Sequence, residues 1–299
     1  MSFSSDTKSE LLRIPIHKRC CAVAEAYGVL LYCNLFTANG IRIVTSSPGF
    51  AERLPKLFKK AFGCSFDSTP KFEVKGKHCF SISSPDIISR IFDVYGYEKD
   101  TILAHHINLG VLEDSCCKDS FLRGAFLAGG SLTDPEKGYH LQIVTPHYNV
   151  SREAISILLE LGLHPKDVSR SGNYIIYFKH SSAIEEFLTR IGAPISAMGI
   201  MSAKVEKDMR NTINRRVNCD SANADKVVTA AQGQLAAIKR LEQSSGLQDL
   251  PEKLYDTALL RIANPEASFN DLATLACPPV SKSCISHRMK KLMALAREP

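Results

Sequence analysis

The side chains best equipped for chemistry lie near the end of the chain, in the run SFNDLATLACPPVSKSCISHRMKKLMALAR at 268–297. From Lys282 to Arg297 there are five cations, Lys282, Arg288, Lys290, Lys291 and Arg297, and no Asp or Glu; Ser281, Ser283, Ser286 and His287 are interspersed with them. Lys and Arg neutralise phosphates, while Ser, His and Arg near a helix start reach base edges, so the pattern suits insertion into a DNA major groove. Sequence readout is expected through Ser281, Lys282, Ser283, Ser286, His287 and Arg288, with Lys290, Lys291 and Arg297 mainly holding phosphates. The same residues also fit the solvated basic face of an ordinary helical hairpin. A second cluster, Arg210, Arg215 and Arg216, reads equally as phosphate contacts or as solvated charge.

Other reactive groups are plentiful but poorly arranged. Ten cysteines include the adjacent pairs Cys20–Cys21 and Cys116–Cys117, with no CxxC anywhere. Neighbouring cysteines are poor partners for a structural zinc, so no metal site is expected. His105, His106, His140, His147 and His180 lack the i, i+4 spacing of a metal-binding helix face and read as satisfied or solvated imidazoles. GAFLAGGS at 124–131 has the spacing of a phosphate-binding loop between its first two glycines, but Gly130 stands where the lysine belongs and no strand precedes it. No catalytic group and no cofactor is expected.

Two short helices must position the basic run. Ser268 is a good N-cap with Asp271 placed as the acid of a capping box. Phe269, Leu272, Ala273 and Ala276 recur at i, i+3, i+4 and i+7 and give one apolar face. Pro278 and Pro279 force a turn at 277–280. Ser281 then caps a helix with apolar positions Ile285, Met289, Leu292, Met293 and Ala296. A preceding helix opened by Pro251 would supply the third wall.

Upstream, the order of elements repeats. An Ala-rich helix from His17 to about Cys33 carries Gly28; a turn at Asn39–Gly40, a strand at 41–45, a helix from Pro48 to Phe62 stopped by Gly63, strands at 64–74 and 78–83, and a helix from Pro85 to Asp93 follow. The same order returns from Asp119: a helix to Ala128 carrying Gly124, a strand at 139–144, a helix capped by Ser151, a strand pair over 168–178 and a helix at 182–191 ended by Gly192. Gly28 and Gly124 are offset by 96, Gly63 and Gly162 by 99, Ser83 and Ser181 by 98. The chain is therefore read as α+β, with a duplicated α-β-α-β-β-α domain followed by an all-α helix-turn-helix domain. A glycine inside a helix costs about 1 kcal/mol against alanine, which invites a close helix–helix approach through Ala24 and Gly28 on one side and Gly124 and Ala128 on the other. Pro194–Gly199 reads as a linker. The helical stretch at 204–241 reads as broken near Val217–Ser221, with Ser221 capping its second part.

LRGAFLAGG (122–130) and, more faintly, AYGVLLYCN (26–34) resemble the central helices of LAGLIDADG homing endonucleases. In that family an acidic residue on each helix binds the catalytic divalent metal; the matching positions here are Cys33 and Gly129, so the resemblance implies a degenerate catalytic centre. RNTINRRVNCDSANADKVVTAAQGQLAAI (210–238), SFNDLATLACPPVSKSCISHRMKKL (268–292), FLRGAFLAGGSLTDPEKGYHL (121–141) and CCAVAEAYG (20–28) resemble the WhiA family of Gram-positive bacteria. That resemblance implies a transcription regulator without nuclease activity, linked to cell division, chromosome segregation and, in some relatives, sporulation. Its partners would be double-stranded promoter DNA and another transcription or division protein. The expected division is 1–110 and 111–195 for the two LAGLIDADG-like halves, 196–220 for a linker and basic helix, and 221–299 for the C-terminal domain with its helix-turn-helix at 268–297.

The bulk properties agree. With 299 residues, 44% hydrophobic and 23% charged, the chain has enough apolar material for two or three domains. A net charge of +6 and a pI near 8.7 permit an acidic polymer as partner without requiring one. Lacking a signal peptide or bilayer-length apolar run, the protein is expected in the cytoplasm, nucleoid-associated, with reduced thiols and no membrane partner.

Overall fold

The computed structural model describes residues 2–68, 76–97, 104–244 and 246–297. It divides into two compact units, Met1–Lys207 and Asp208–Pro299. The first unit opens with α1 (Phe3–Leu12). One half follows as α2 (Arg19–Leu31), β1 (Leu35–Thr37), β2 (Gly40–Thr45), α3 (Pro48–Phe62), β3 (His78–Ile82) and α4 (Pro85–Tyr95). The other half is α5 (Ser115–Gly129), β4 (Gly130–Leu132), β5 (Leu141–Thr145), α6 (Tyr148–Glu160), β6 (Lys166–Arg170), β7 (Asn173–Phe178) and α7 (Ser181–Ile191). Each half thus carries a short extra strand, β1 or β4, directly after its central helix. The strand expected over 64–74 falls largely on residues outside the described ones; Ser68 bridges Ser81 at its near end.

Both sheets are antiparallel, with orders β1-β2-β3 and β4-β5-β7-β6. Their alternation is that of half-buried strands: in β3, His78, Phe80 and Ile82 are buried, and in β5, Leu141, Ile143 and Thr145. The helix α3 shows how locally determined the elements are. Ser47 caps its start through the Phe50 amide, Pro48 occupies the first turn, and Gly63 closes it at φ 67°, a conformation open to glycine at little cost. By contrast α6 starts earlier than expected. His147 is its N-cap and Ser151 lies inside, its amide bonded to the His147 carbonyl at 3.1 Å.

The centre of the first unit is the α2–α5 pair. Nine residues of α2 are buried, so it is apolar on nearly every side, as a helix enclosed by neighbours must be. The backbones meet where the sequence has no Cβ. A Cβ on Gly28 would stand 2.1 Å from the Phe121 carbonyl oxygen, and one on Gly124 would stand 2.0 Å from the Glu25 carbonyl oxygen. Ala24 is fully buried and Ala128 half-buried at the rim; it is Ala125 whose backbone faces Gly28.

The helix α8 (Pro194–Ser244) corrects two expectations: Pro194–Gly199 is no linker, and there is no break at 217–221. Proline is well suited to a first helical turn, and Glu10 of α1 caps this one, its carboxylate accepting from the Ile195 amide (2.7 Å), the Ser196 amide (2.9 Å) and the Ser196 hydroxyl (2.6 Å). Gly199 lies against the Phe3 ring. Between Gly199 and Gly233 there is no proline or glycine to end the helix, and Ser221 is merely a poor helix former within it.

In the second unit α8 is followed by α9 (Glu252–Ala263), α10 (Phe269–Leu275) and α11 (Lys282–Leu295). Ile238, Leu241, Leu254, Ala258, Met289 and Leu292 form its main core, and Leu272, Ala273 and Ile285 a second cluster between α10 and α11. Among the described residues no helix is long and apolar enough to cross a membrane.

Candidate nucleic-acid interface

The geometry of α10 and α11 follows from their caps. Ser268 and Asp271 form a reciprocal capping box, the Asp271 amide donating to Ser268 Oγ at 3.3 Å and the Ser268 amide to Asp271 Oδ2 at 2.9 Å. The Ser268 hydroxyl, and secondarily its amide, hold the Asp271 carboxyl below its usual range. At the turn the Val280 amide returns to the Ala273 carbonyl at 3.0 Å, and Ser281 Oγ accepts from the Cys284 amide at 3.2 Å. Ile285, Met289 and Leu292 are buried. That burial turns Lys282, Ser283, His287, Lys290 and Lys291 outward, all exposed, as is Arg297 just beyond the helix. Ser286 and Arg288 are half-buried, and Arg288 Nη1 donates to Thr257 Oγ1 at 3.5 Å. One expected reader, Ser281, thus has its hydroxyl engaged as a cap, and another, Arg288, leans on α9. Arg210, Arg215 and Arg216 lie exposed on α8.

Cys33 and Gly129, the positions that the resemblance sets against a homing endonuclease's metal-binding acids, are both tightly enclosed. Cys33 Sγ donates to the Leu30 and Leu35 carbonyls at 3.1 and 3.3 Å, and burial pushes its thiol up to about 12, so the sulfur is neutral. Gly129 ends α5 beneath β5: a Cβ there would lie 2.6 Å from the Val144 carbonyl oxygen and 3.2 Å from the Tyr32 ring. A carboxylate at 129 has no room. A hard divalent cation takes oxygen ligands, and neither position supplies one from its side chain.

A family model described as the WhiA LAGLIDADG-like domain matches residues 118–210, and one described as the WhiA C-terminal HTH domain matches 213–296. A protein of Ruminiclostridium cellulolyticum named "Probable cell division protein WhiA" is 37% identical over 305 residues, covering 99% of this chain and 97% of that protein. The chain belongs to the WhiA family. A second relative of the same name, from Alkaliphilus metalliredigens, is 32% identical over 99% of this chain and 98% of its own length. The crystal structure of full-length WhiA from Thermotoga maritima superposes with a TM-score of 0.61 at 25% identity, covering 99% of this chain and 98% of that one. Membership of the WhiA family brings both folds together in one chain: a LAGLIDADG-like domain and a helix-turn-helix.

Three arrangements have no counterpart among the sequence expectations. Glu25, inside an apolar helix, is buried and accepts from Arg53 Nε (2.6 Å) and Nη2 (2.9 Å) and from Arg123 Nη1 (3.2 Å), which ties α2 to α3 and α5. Arg261, also buried, donates to the Ala267 carbonyl at 2.7 Å and to those of Asn264 and Pro265, fixing the turn that aims α10. Third, the two cysteine pairs, each without an evident partner in the sequence, meet: Cys20, Cys21, Cys116 and Cys117 place their sulfurs within 4.8 Å of one another. A lone Glu in an Ala-rich run was the available signal for the first, and the doubling of CC at an offset of 96 for the third.

Proposed function

We propose that the protein is a sequence-specific DNA-binding transcription regulator that inserts α11 into the major groove of promoter DNA, with a role in cell division and chromosome segregation, and has no nuclease activity. The observation that carries this reading is the division of α11 into a buried apolar face and an exposed face of Lys282, Ser283, His287, Lys290 and Lys291 beginning at a capped N-terminus. In helix-turn-helix proteins it is the first residues of the second helix that reach base edges. Lys282, Ser283 and His287 are therefore the readers. Lys290, Lys291 and Arg297 hold phosphates, and Arg210, Arg215 and Arg216 add nonspecific attraction. Ser286 and Arg288 act at the edge of the interface. The cell-division role rests on the names of the relatives.

The test is genome-wide mapping of bound sites followed by binding of the recovered fragments at ~150 mM salt, where nonspecific attraction is weak. Lys282→Ala with His287→Ala is expected to weaken specific binding by roughly ten- to a hundredfold for each base edge no longer read, while Lys290→Ala lowers affinity for all sequences and flattens the salt dependence. Unchanged affinity of the double variant for its sites would overturn the assignment. Cleavage of DNA by the purified chain with Mg²⁺ or Mn²⁺ would overturn the non-enzymatic part.

A further inference from the structure

We infer that Cys20, Cys21, Cys116 and Cys117 form a tetrathiolate site for a single zinc ion, which clasps the two central helices at their N-terminal ends. The four Sγ atoms lie within 4.8 Å of one another, and the Cys20–Cys21 pair is 4.0 Å apart. A tetrahedral zinc with Zn–S bonds of about 2.3 Å needs sulfurs about 3.8 Å apart, so the thiols stand slightly wide of the ion's own dimensions. All four are free thiols. The donor set is soft sulfur alone, which selects Zn²⁺ over Mg²⁺ or Ca²⁺.

The backbone brings two helix N-termini to the sulfurs, while burial raises the thiols of Cys21, to about 11, and of Cys117, so the ion itself must displace their protons. Cys20 and Cys21 sit in the first turn of α2, and Cys116 and Cys117 in the first turn of α5, so two helix N-termini direct their positive ends at the cluster. Lys18 stands near Cys20 and adds a cation. Binding replaces four S–H bonds by four Zn–S bonds and releases four protons to solvent, leaving a site of net charge −2. Cys20 is exposed and Cys117 buried, so the cluster opens to water on one side, where an ion enters. Four protein ligands leave no coordination position for a substrate, which makes the site structural.

Its position in the fold gives the clasp its purpose. The helices touch through Gly28 and Gly124, past their midpoints, with Gly129 ending α5 and Cys33 just beyond α2, so the sulfur cluster fixes the end of the α2–α5 pair remote from those positions.

The experiment takes the full chain, purified reduced and without metal-affinity resin. Elemental analysis after zinc addition and desalting should give one zinc per chain, and Co²⁺ substitution should give the intense visible bands of tetrahedral cobalt with sulfur-to-metal charge transfer. Cys20→Ser, at an exposed position that tolerates the change, should weaken zinc binding roughly tenfold or more. Cys277→Ser, exposed and in the other unit, should leave it unchanged. Chelation should lower the melting temperature of the wild type, and lower that of Cys20→Ser by less. A reduced chain that takes up no zinc, a six-coordinate cobalt spectrum, or equal zinc binding by Cys20→Ser would each overturn the assignment.

Discussion

At the scale of single residues, the positions without a side chain carry as much of the structure as those with one. A Cβ at position 124 would sit 2.0 Å from a carbonyl oxygen of the facing helix, and backbone cannot step aside as a flexible side chain does. Gly124→Ala is therefore expected to lower unfolding free energy by on the order of 3 kcal/mol, read as a shift of the urea midpoint; an unchanged midpoint would refute the backbone contact. Glu25 poses the opposite problem, a buried charge held by two guanidiniums. Glu25→Gln keeps the shape and removes the charge between Arg53 and Arg123, and should cost about 3–5 kcal/mol by the same measurement. The glycines were legible in the sequence because a mid-helix glycine is expensive and recurs at a fixed offset. Glu25 was not, because periodicity marks a helix and says nothing of which arginines, 28 and 98 residues away, will meet one of its side chains.

At the scale of elements, most starts and stops were well read: Pro48 and Gly63 around α3, Pro85 at α4, Gly192 after α7 and the Ser268–Asp271 box at α10 all involve neighbours in sequence, while the start of α6 was placed too late, at Ser151. The start of α8 was misread because its cap is Glu10, some 185 residues away, and a Pro-to-Gly stretch without a local cap reads as loop. Glu10→Ala should leave the Ile195 and Ser196 amides without acceptors and destabilise the fold by about 1–2 kcal/mol. Hydrogen exchange localises the effect: faster exchange at 195–196 is expected, and exchange identical to wild type would show that the carboxylate is not the cap. In the second unit the apolar faces of α10 and α11 followed from spacing, whereas Arg261, polar and buried beneath them, had no periodic signature.

At the scale of the whole molecule, the pseudo-twofold unit carries a pH dependence. His105 packs on Phe36 of one half and against His147, the N-cap of α6, in the other, with the imidazole centroids 4.5 Å apart. Burial, and secondarily the neighbouring His105, holds His147 down at about 4, and burial likewise lowers His105. In the unfolded chain both titrate near about 6.5. Below that pH the unfolded chain takes up protons that the folded one refuses, so stability complete above pH ~6.5 is lost as pH falls toward 4, by on the order of 1–3 kcal/mol. Urea midpoints at pH 7.5 and 5 should show the loss, and His147→Gln should reduce it; a pH-independent difference would remove the imidazole pair from the account. The architecture of this unit was readable because duplication repeats its signals, the paired helix glycines among them, while the meeting of His105 with His147, which share no such signal, was not. The closure of β5 over Gly129 also limits what the position can accept. With the Val144 carbonyl 2.6 Å from where a side chain would begin, any residue larger than glycine requires the strand to move. A side chain at 129 therefore takes two changes together, the substitution itself and a repositioned strand to receive it.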